Sequence, residues 1–432
     1  MATTGRARPR GYPRLPPMGQ DEQPRTLKAM LSEAKDTSEL MVDLAYAALF
    51  FGDAGMADEV HELEERLSDL AHAMREVCVL AARSPRDAEE MSSVLHVLSA
   101  IERMGNAAVD IARIVTHRLG IPAALVADLA AAEEVSHRVR VRPDALLAHR
   151  SLKTACLPTE VGMRVVAIRR GKDWMIDPDG DDTLLPNDVL ILRGPAGGIP
   201  ELRVLAGAPE WRPPGTDVDP AIPTDLDRAV DVLVEMKNVS EVAIGLAYSA
   251  LLFNDQGLAA EVSHLEDRLD DMKERLEVWV LRGAHDQLDP SPLRGLLHLG
   301  NAAEEIGDAA QQMVWLIEKG EELHPILALA LGDSDEVAVK VPVRAGSPAD
   351  GKTIAELHVE VETGFYLLAI HRGGRYVYRP RKDTVLYAGD ELIATGPDEG
   401  HTLLAEMCGY VLIEDDETGE DELVPADTTT AR

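Results

Sequence analysis

In each half of the chain the spacing of apolar residues changes partway, marking where helices give way to strands. Val60, Leu63, Leu67, Leu70, Met74 and Val77 step by three and four, which places them on one face of a helix. Met91, Val94, Leu98, Ile101, Met104, Ala108, Ile111 and Val115 form a second, longer seam. Pro85 separates the two, and the stretch from Gly52 to Gly55 separates the first seam from an earlier helix ending near Phe51. The pattern predicts three long antiparallel helices of roughly 25–30 residues. A short helix is expected behind Pro122, and then the period falls to two. HRVRVR from His137 alternates, RVVAIRR is a short apolar strand with a basic exit, and DVLILRGP closes on a Gly-Pro turn.

The same succession is written a second time. LAYAALFFGDAGMADEVHELEERLSDL from Leu44 and LAYSALLFNDQGLAAEVSHLEDRLDDM from Leu246 agree at 16 of 27 positions, an offset of 202 residues. The offset then holds: Glu102 pairs with Glu304, Gly105 with Gly307, Asp188 with Asp390, and Gly194-Pro195 with Gly396-Pro397. Val262, Leu265, Leu269, Met272, Leu276 and Trp279 repeat the seam, and EVAVKVPV, YLLAIHR and DELIATGP repeat the strands. Neither copy has gained or lost residues between these anchors, so both are expected to fold alike. The segment GAPEWRPPGTDVDPAIPT between the copies has five prolines and reads as an extended linker.

Composition narrows the role. The chain has 432 residues and a net charge of −33, from 76 acids against 43 bases, which argues against a nucleic-acid partner. No charge-free apolar run approaches the roughly 18 residues that a membrane span needs, and no signal peptide precedes the first helix, so a cytoplasmic protein is expected. Cys78, Cys156 and Cys408 stand far apart, without the spacing of a disulfide framework or thiolate zinc site, and read as small buried or semi-buried hydrophobes. Histidines are scattered, and no catalytic constellation, H-x-x-x-H pair, G-x-S-x-G or phosphate-binding glycine loop occurs, so an enzyme is not expected.

These boundaries predict a basic disordered arm over 1–24, a helical bundle over 25–134 and a small α/β (α+β) domain over 135–206. A linker over 207–224, a second bundle over 225–332 and a second α/β domain over 333–410 follow, then an acidic disordered tail over 411–432. The helical half resembles PhoU domains, which are three-helix bundles that occur in tandem in phosphate-signalling regulators. The resemblance rests on the pattern over residues 45–70 and on IERMGNAAVDIARIV at Ile101–Val115. The α/β half resembles the C-terminal ligand-binding domain of TrkA/RCK potassium-transport regulators, through the A-I-x-R strand, the downstream Pro and GDELIATG in the second copy. The first copy has Asn187 in place of that Gly. No G-x-G-x-x-G follows a strand, so the dinucleotide-binding half of full TrkA/RCK regulators is not expected.

The combination implies a cytosolic regulator whose partner is a membrane potassium channel or cation/proton antiporter, held at the inner face of the membrane through that partner. The alternative is a PhoU-type, metal-loaded signalling adaptor acting on phosphate transport or a sensor kinase. In the resembled family the α/β domains pair and hold a small ligand between them, cyclic di-AMP in several members; the 202-residue duplication puts two like surfaces in one chain and so predicts that they pair within it, and a homodimer is a further expectation. Val165, Val166, Arg169 and Arg170, with Leu367, Leu368, His371 and Arg372, are the residues so assigned: aliphatics against bases, arginines against phosphates. PhoU-like domains can hold a divalent or ferric ion through acids four apart on neighbouring helices, and the second copy retains Glu266 with Asp270 and Glu304 with Asp308. The first copy has Ser68 and Asn106 at two of those positions, although acids four apart are also common on the solvated faces of so acidic a chain.

Overall fold

Each long helix of the first bundle begins at a residue built to cap it. Thr26, Asp53 and Ser84 accept hydrogen bonds from first-turn amides of α1 (Leu27–Phe51), α2 (Ala54–Ala81) and α3 (Pro85–Thr116). Gly52 adopts the left-handed conformation that ends α1. The first α/β domain follows: β1 (Glu134–Arg140), α4 (Leu152–Ala155), α5 (Leu157–Val161), β2 (Arg164–Arg170), β3 (Asp173–Ile176), β4 (Val189–Pro195) and α6 (Ile199–Leu205). The second copy repeats the order. Its bundle is α7 (Asp225–Phe253), α8 (Gln256–Gly283) and α9 (Ser291–Glu318), followed by the short α10 (Ile326–Leu331). Its α/β domain is β5 (Glu336–Pro342), α11 (Ile354–Leu357), α12 (Val359–Thr363), β6 (Tyr366–Arg372), β7 (Arg375–Tyr378), β8 (Glu391–Pro397) and α13 (His401–Met407). The computed structural model describes residues 25–122, 125, 128–129, 134–211, 224–284, 291–321, 323–332, 334, 336–414 and 421–426. The expected arm over 1–24, most of the linker and most of the short helix behind Pro122 lie outside them.

Both sheets are four-stranded and antiparallel, in the orders β1-β4-β2-β3 and β5-β8-β6-β7. A register shift sits at the same place in each, between Val165 and Ala167 and between Leu367 and Ala369. It divides the side chains of the strand between two cores. Val165 and Ile168 pack inside the first α/β domain, whereas Val166 and Ala167 join the apolar core of the helices. Leu367 and Leu368 divide in the same way.

The acidic tail expected to be disordered is ordered in part. Residues Tyr410–Glu414 (β9) and Asp421–Pro425 (β10) pair antiparallel, and Leu423 packs on the core of the second α/β domain. Leu423 and the β-branched Val424 stand side by side in DELVP, an apolar pair that the charge of the segment obscures. Cys78 and Cys408 are buried as expected, but Cys156 is exposed. Among the described residues no helix is long and apolar enough to cross a membrane.

The two bundles join through α3 and α9, which run antiparallel. His96 meets the carbonyl of Gln312 at 2.7 Å, and Arg103 reaches Asp308 at 2.8 Å and Glu305 at 3.0 Å. The two α/β domains join through α5 and α12, where a Cβ on Gly162 would fall 2.6 Å from the carbonyl oxygen of Glu360. They pair within one chain, as the duplication predicts.

Candidate functional site

Each α/β domain is anchored to the bundle that precedes it. Asp53 caps α2 through Gly55 and stands 3.5 Å from Arg169; Asp255 caps α8 through Gly257 and Leu258 and stands 2.5 Å from Lys340. Arg169 is therefore a docking residue, with its guanidinium over the ring of Trp174. His371 stacks on Tyr376 at 4.6 Å and faces Glu391 at 3.5 Å.

The two strand-end arginines assigned to phosphates are engaged within their own domains. Arg170 donates to both oxygens of Asp188, at 2.9 and 2.8 Å, and to the carbonyl of Thr183. Arg372 does the same with Asp390, at 2.6 Å to each oxygen, and with the carbonyl of Val385. The carboxylates are buried, and each also accepts from a turn amide, of Leu185 or Tyr387. An arginine kept at both strand exits is thus explained by a planar two-bond clamp on a buried aspartate, which holds the turn before the closing strand.

Between the paired domains lies a cavity of about 990 Å³, floored by α1 and α7. Of the eight residues assigned to a ligand, Val165, Val166 and Leu368 line it; Leu367, Arg169, Arg170, His371 and Arg372 do not. Its charged lining comes from residues the sequence reading passed over. Arg164 spans Asp177 at 3.1 Å and Glu336 at 3.4 Å, and Arg193 pairs with Asp43 and lies 3.6 Å from Glu241. Behind these lie two buried lysines, Lys35 on Glu39 and Lys237 on Glu241, each at 2.7 Å. Burial opposes the charge of Glu39, and Glu336 adds to this, so its carboxyl stays above the usual range despite Lys35. Burial opposes the charge of Glu241 too, but Lys237 and Arg193 outweigh it and hold that carboxyl low. A signal was present: K-x-x-S-E recurs 202 residues apart, at Lys35 and Lys237.

The four acids assigned to a metal do converge. Burial and then Asp270 and Asp308 push Glu266 up to about 7. Yet Asp308 is held by Arg103 from the other copy, Glu304 by Lys273 at 3.0 Å, and Glu266 by the amide of Gln311 at 2.8 Å. Among the described residues no group of three or more His, Cys, Asp or Glu side chains is placed to hold a metal ion. Of the four acids, Glu304 and Asp308 are thus engaged in ion pairs, within the bundle and across the α3–α9 joint.

The TrkA-C domain family matches residues 137–207 and 338–409, and the PhoU domain family matches 31–115 and 233–316. No curated protein matches the chain in sequence. PhoU from Pseudomonas aeruginosa is similar at 15% identity and a TM-score of 0.37, over 67% of this chain and 93% of that one. The phosphate transport system regulatory protein PhoU from Streptococcus pneumoniae gives 12% and 0.36, over 68% and 94%. The GsuK RCK domain gives 15% and 0.16, over 64% of this chain and 63% of that one. At these scores none of the three bears on function. The chain is a tandem protein of two PhoU domains alternating with two TrkA-C domains.

Proposed function

We propose that the chain is a non-enzymatic, cytoplasmic regulatory subunit of a potassium channel or cation/proton antiporter, responding to a small ligand in the cavity between its TrkA-C domains. The observation that carries the reading is the position of that cavity. Both α/β domains and the first helix of both bundles line it, so an occupant would stabilise one relative placement of all four domains. A ligand that favours one arrangement shifts the population toward it by its difference in affinity, and a bound transporter would sense that shift. The PhoU domains support a second reading, an adaptor for phosphate signalling. The ion pairs made by Asp308 and Glu304 speak against the metal-loaded form of it.

The test is potassium flux through a channel or antiporter that co-purifies with the tagged chain, reconstituted in vesicles with and without the purified chain. The reading expects the chain to change the flux and a cell extract of small molecules to modulate that change. Flux indifferent to the chain, together with altered phosphate-responsive expression in a deletion strain, would overturn it in favour of the adaptor.

A further inference from the structure

The edge strands of the two α/β domains carry opposite charge on the same backbone. β3 and β7 each end a four-stranded sheet and pair with one neighbour, β2 or β6. DWMIDPDGDD from Asp173 has five acids and no base, whereas RYVYRPRKDT, 202 residues on, has four bases and one acid. Asp173, Asp177 and Asp179 are exchanged in turn for Arg375, Arg379 and Arg381. Asp177 and Arg379 have partners inside the chain, in Arg164 and Glu235. Asp173, Asp179, Arg375 and Arg381 are exposed, and none of these four enters an ion pair among the described residues.

An open strand edge presents unpaired amides and carbonyls, and proteins commonly guard it with charge. Guards of opposite sign keep β3 from β3 and β7 from β7 while drawing β3 toward β7. The backbone fits the same pairing. The amide of Asp177 bonds inward to Val166 and that of Arg379 to Leu368. By strand alternation, Trp174 and Ile176 in β3 and Tyr376 and Tyr378 in β7 then turn their amides and carbonyls outward. Laid antiparallel, Trp174 meets Tyr378 and Ile176 meets Tyr376. That register sets half-buried Met175 opposite Val377, which is 40% exposed. Asp173 then faces Arg379 at one end of the pair, and Asp177 faces Arg375 at the other.

We infer that β3 of one chain pairs with β7 of a second copy, joining their sheets edge to edge. The contact is heterologous and independent of what the cavity holds. The net charge of −33 opposes association at long range. At about 0.15 M salt, however, the screening length is about 8 Å, and charges in contact across the joined edges still act.

The experiment is sedimentation equilibrium of the full chain at that ionic strength over a range of concentrations. Two variants accompany the wild type, both altered only at exposed positions. Asp173→Arg with Asp179→Arg makes the β3 edge basic like β7, and Arg375→Asp with Arg381→Asp makes the β7 edge acidic like β3. The average mass of the wild type is expected to rise with concentration. Each variant alone should associate about tenfold more weakly. An equal mixture should regain association, because the unaltered β7 of the first variant meets the unaltered β3 of the second. That recovery also shows that both variants are folded. A wild type that keeps the mass of one chain, variants that associate as the wild type does, or a mixture no stronger than its parts would each overturn the pairing.

Discussion

The ammonium of Lys35 lies 5.1 Å from the centre of the Tyr248 ring, and 202 residues on that of Lys237 lies 5.2 Å from the centre of Tyr46. The two contacts exchange the copies, since each lysine covers the tyrosine of the other repeat. Ser38 repeats the exchange, with its hydroxyl 3.4 Å from that of Tyr248. The bundles are therefore joined by a buried polar seam as well as by the apolar face of α3 and α9.

This seam should be costly to break at one end. Lys35 is 3% exposed and its removal leaves the half-buried Glu39 unpaired near Glu336. Lys35→Met is expected to cost about 3 kcal/mol in chemical denaturation, within the range for orphaning one member of a buried pair. Lys237→Met should cost less, because Arg193 also neutralises Glu241 and has only Thr395 as its counterpart in the second copy. Adding Glu39→Leu to Lys35→Met should restore most of the loss. Equal costs for the two lysines would refute the asymmetry.

The clamp on Asp390 sets a second expectation. Asp390 is 2% exposed and accepts from Arg372 and from the amide of Tyr387. Asp390→Ala strands all three donors, and should lower the stability of its domain by about 3 kcal/mol. Arg372→Lys keeps the charge but loses the planar fork, so about 1 kcal/mol is expected. Thermal unfolding of the two variants checks the order; a larger loss for the lysine variant would show that the fork is not what holds the turn.

The duplicated architecture was legible because helix seams, strand alternation and a constant offset all depend on local spacing. The pairing of the α/β domains was legible for a related reason, since two like surfaces in one chain can meet as in a dimer. The roles of individual charges were not legible. Arg170 with Asp188, and Arg103 with Asp308, are partners 18 and 205 residues apart, and nothing in sequence spacing distinguishes a clamped arginine from a ligand-binding one. The acids of the second bundle converged as read, but their cations came from Lys273 and from the other copy. At the tail, net charge was weighed and the adjacent apolar pair Leu423-Val424 was not.

His137 gives the first α/β domain a dependence on pH. The ring is 6% exposed, and burial and then Arg203 push its pKa down to about 4 from an ordinary 6.5. Between those values the unfolded chain binds the extra proton and the folded one does not, so stability rises with pH across this window. The contribution is complete above about pH 6.5 and is lost as pH falls toward 4, on the order of 3 kcal/mol in all. Unfolding of the wild type and of His137→Phe from pH 4 to 7 measures it. The variant should lose most of the slope in this window; a slope unchanged by the substitution would assign it to other groups.

The contact between the two TrkA-C domains can be separated from backbone strain by comparing two glycines. Gly162 and Gly171 have nearly the same left-handed conformation, with φ of +68° and +69°. A side chain at either position carries the strain of that conformation, about 1–2 kcal/mol. They differ in what a Cβ would meet. At Gly171 nothing lies within 4 Å, whereas at Gly162 it would fall 2.6 Å from the carbonyl oxygen of Glu360 in the other domain and 3.0 Å from Pro195. The first of these is backbone and cannot rotate away, so the domains must move apart or the turn must shift. Gly171→Ala should therefore show the strain alone, and Gly162→Ala a further ~1–3 kcal/mol of overpacking. Gly364→Ala, whose Cβ would fall 2.9 Å from the carbonyl oxygen of Pro158, tests the same joint from the opposite side. Since the joint walls the cavity, Gly162→Ala and Gly364→Ala should also weaken any ligand held there, while Gly171→Ala should not. Equal losses of stability at Gly162 and Gly171 would mean that the domains do not meet along α5 and α12 in solution.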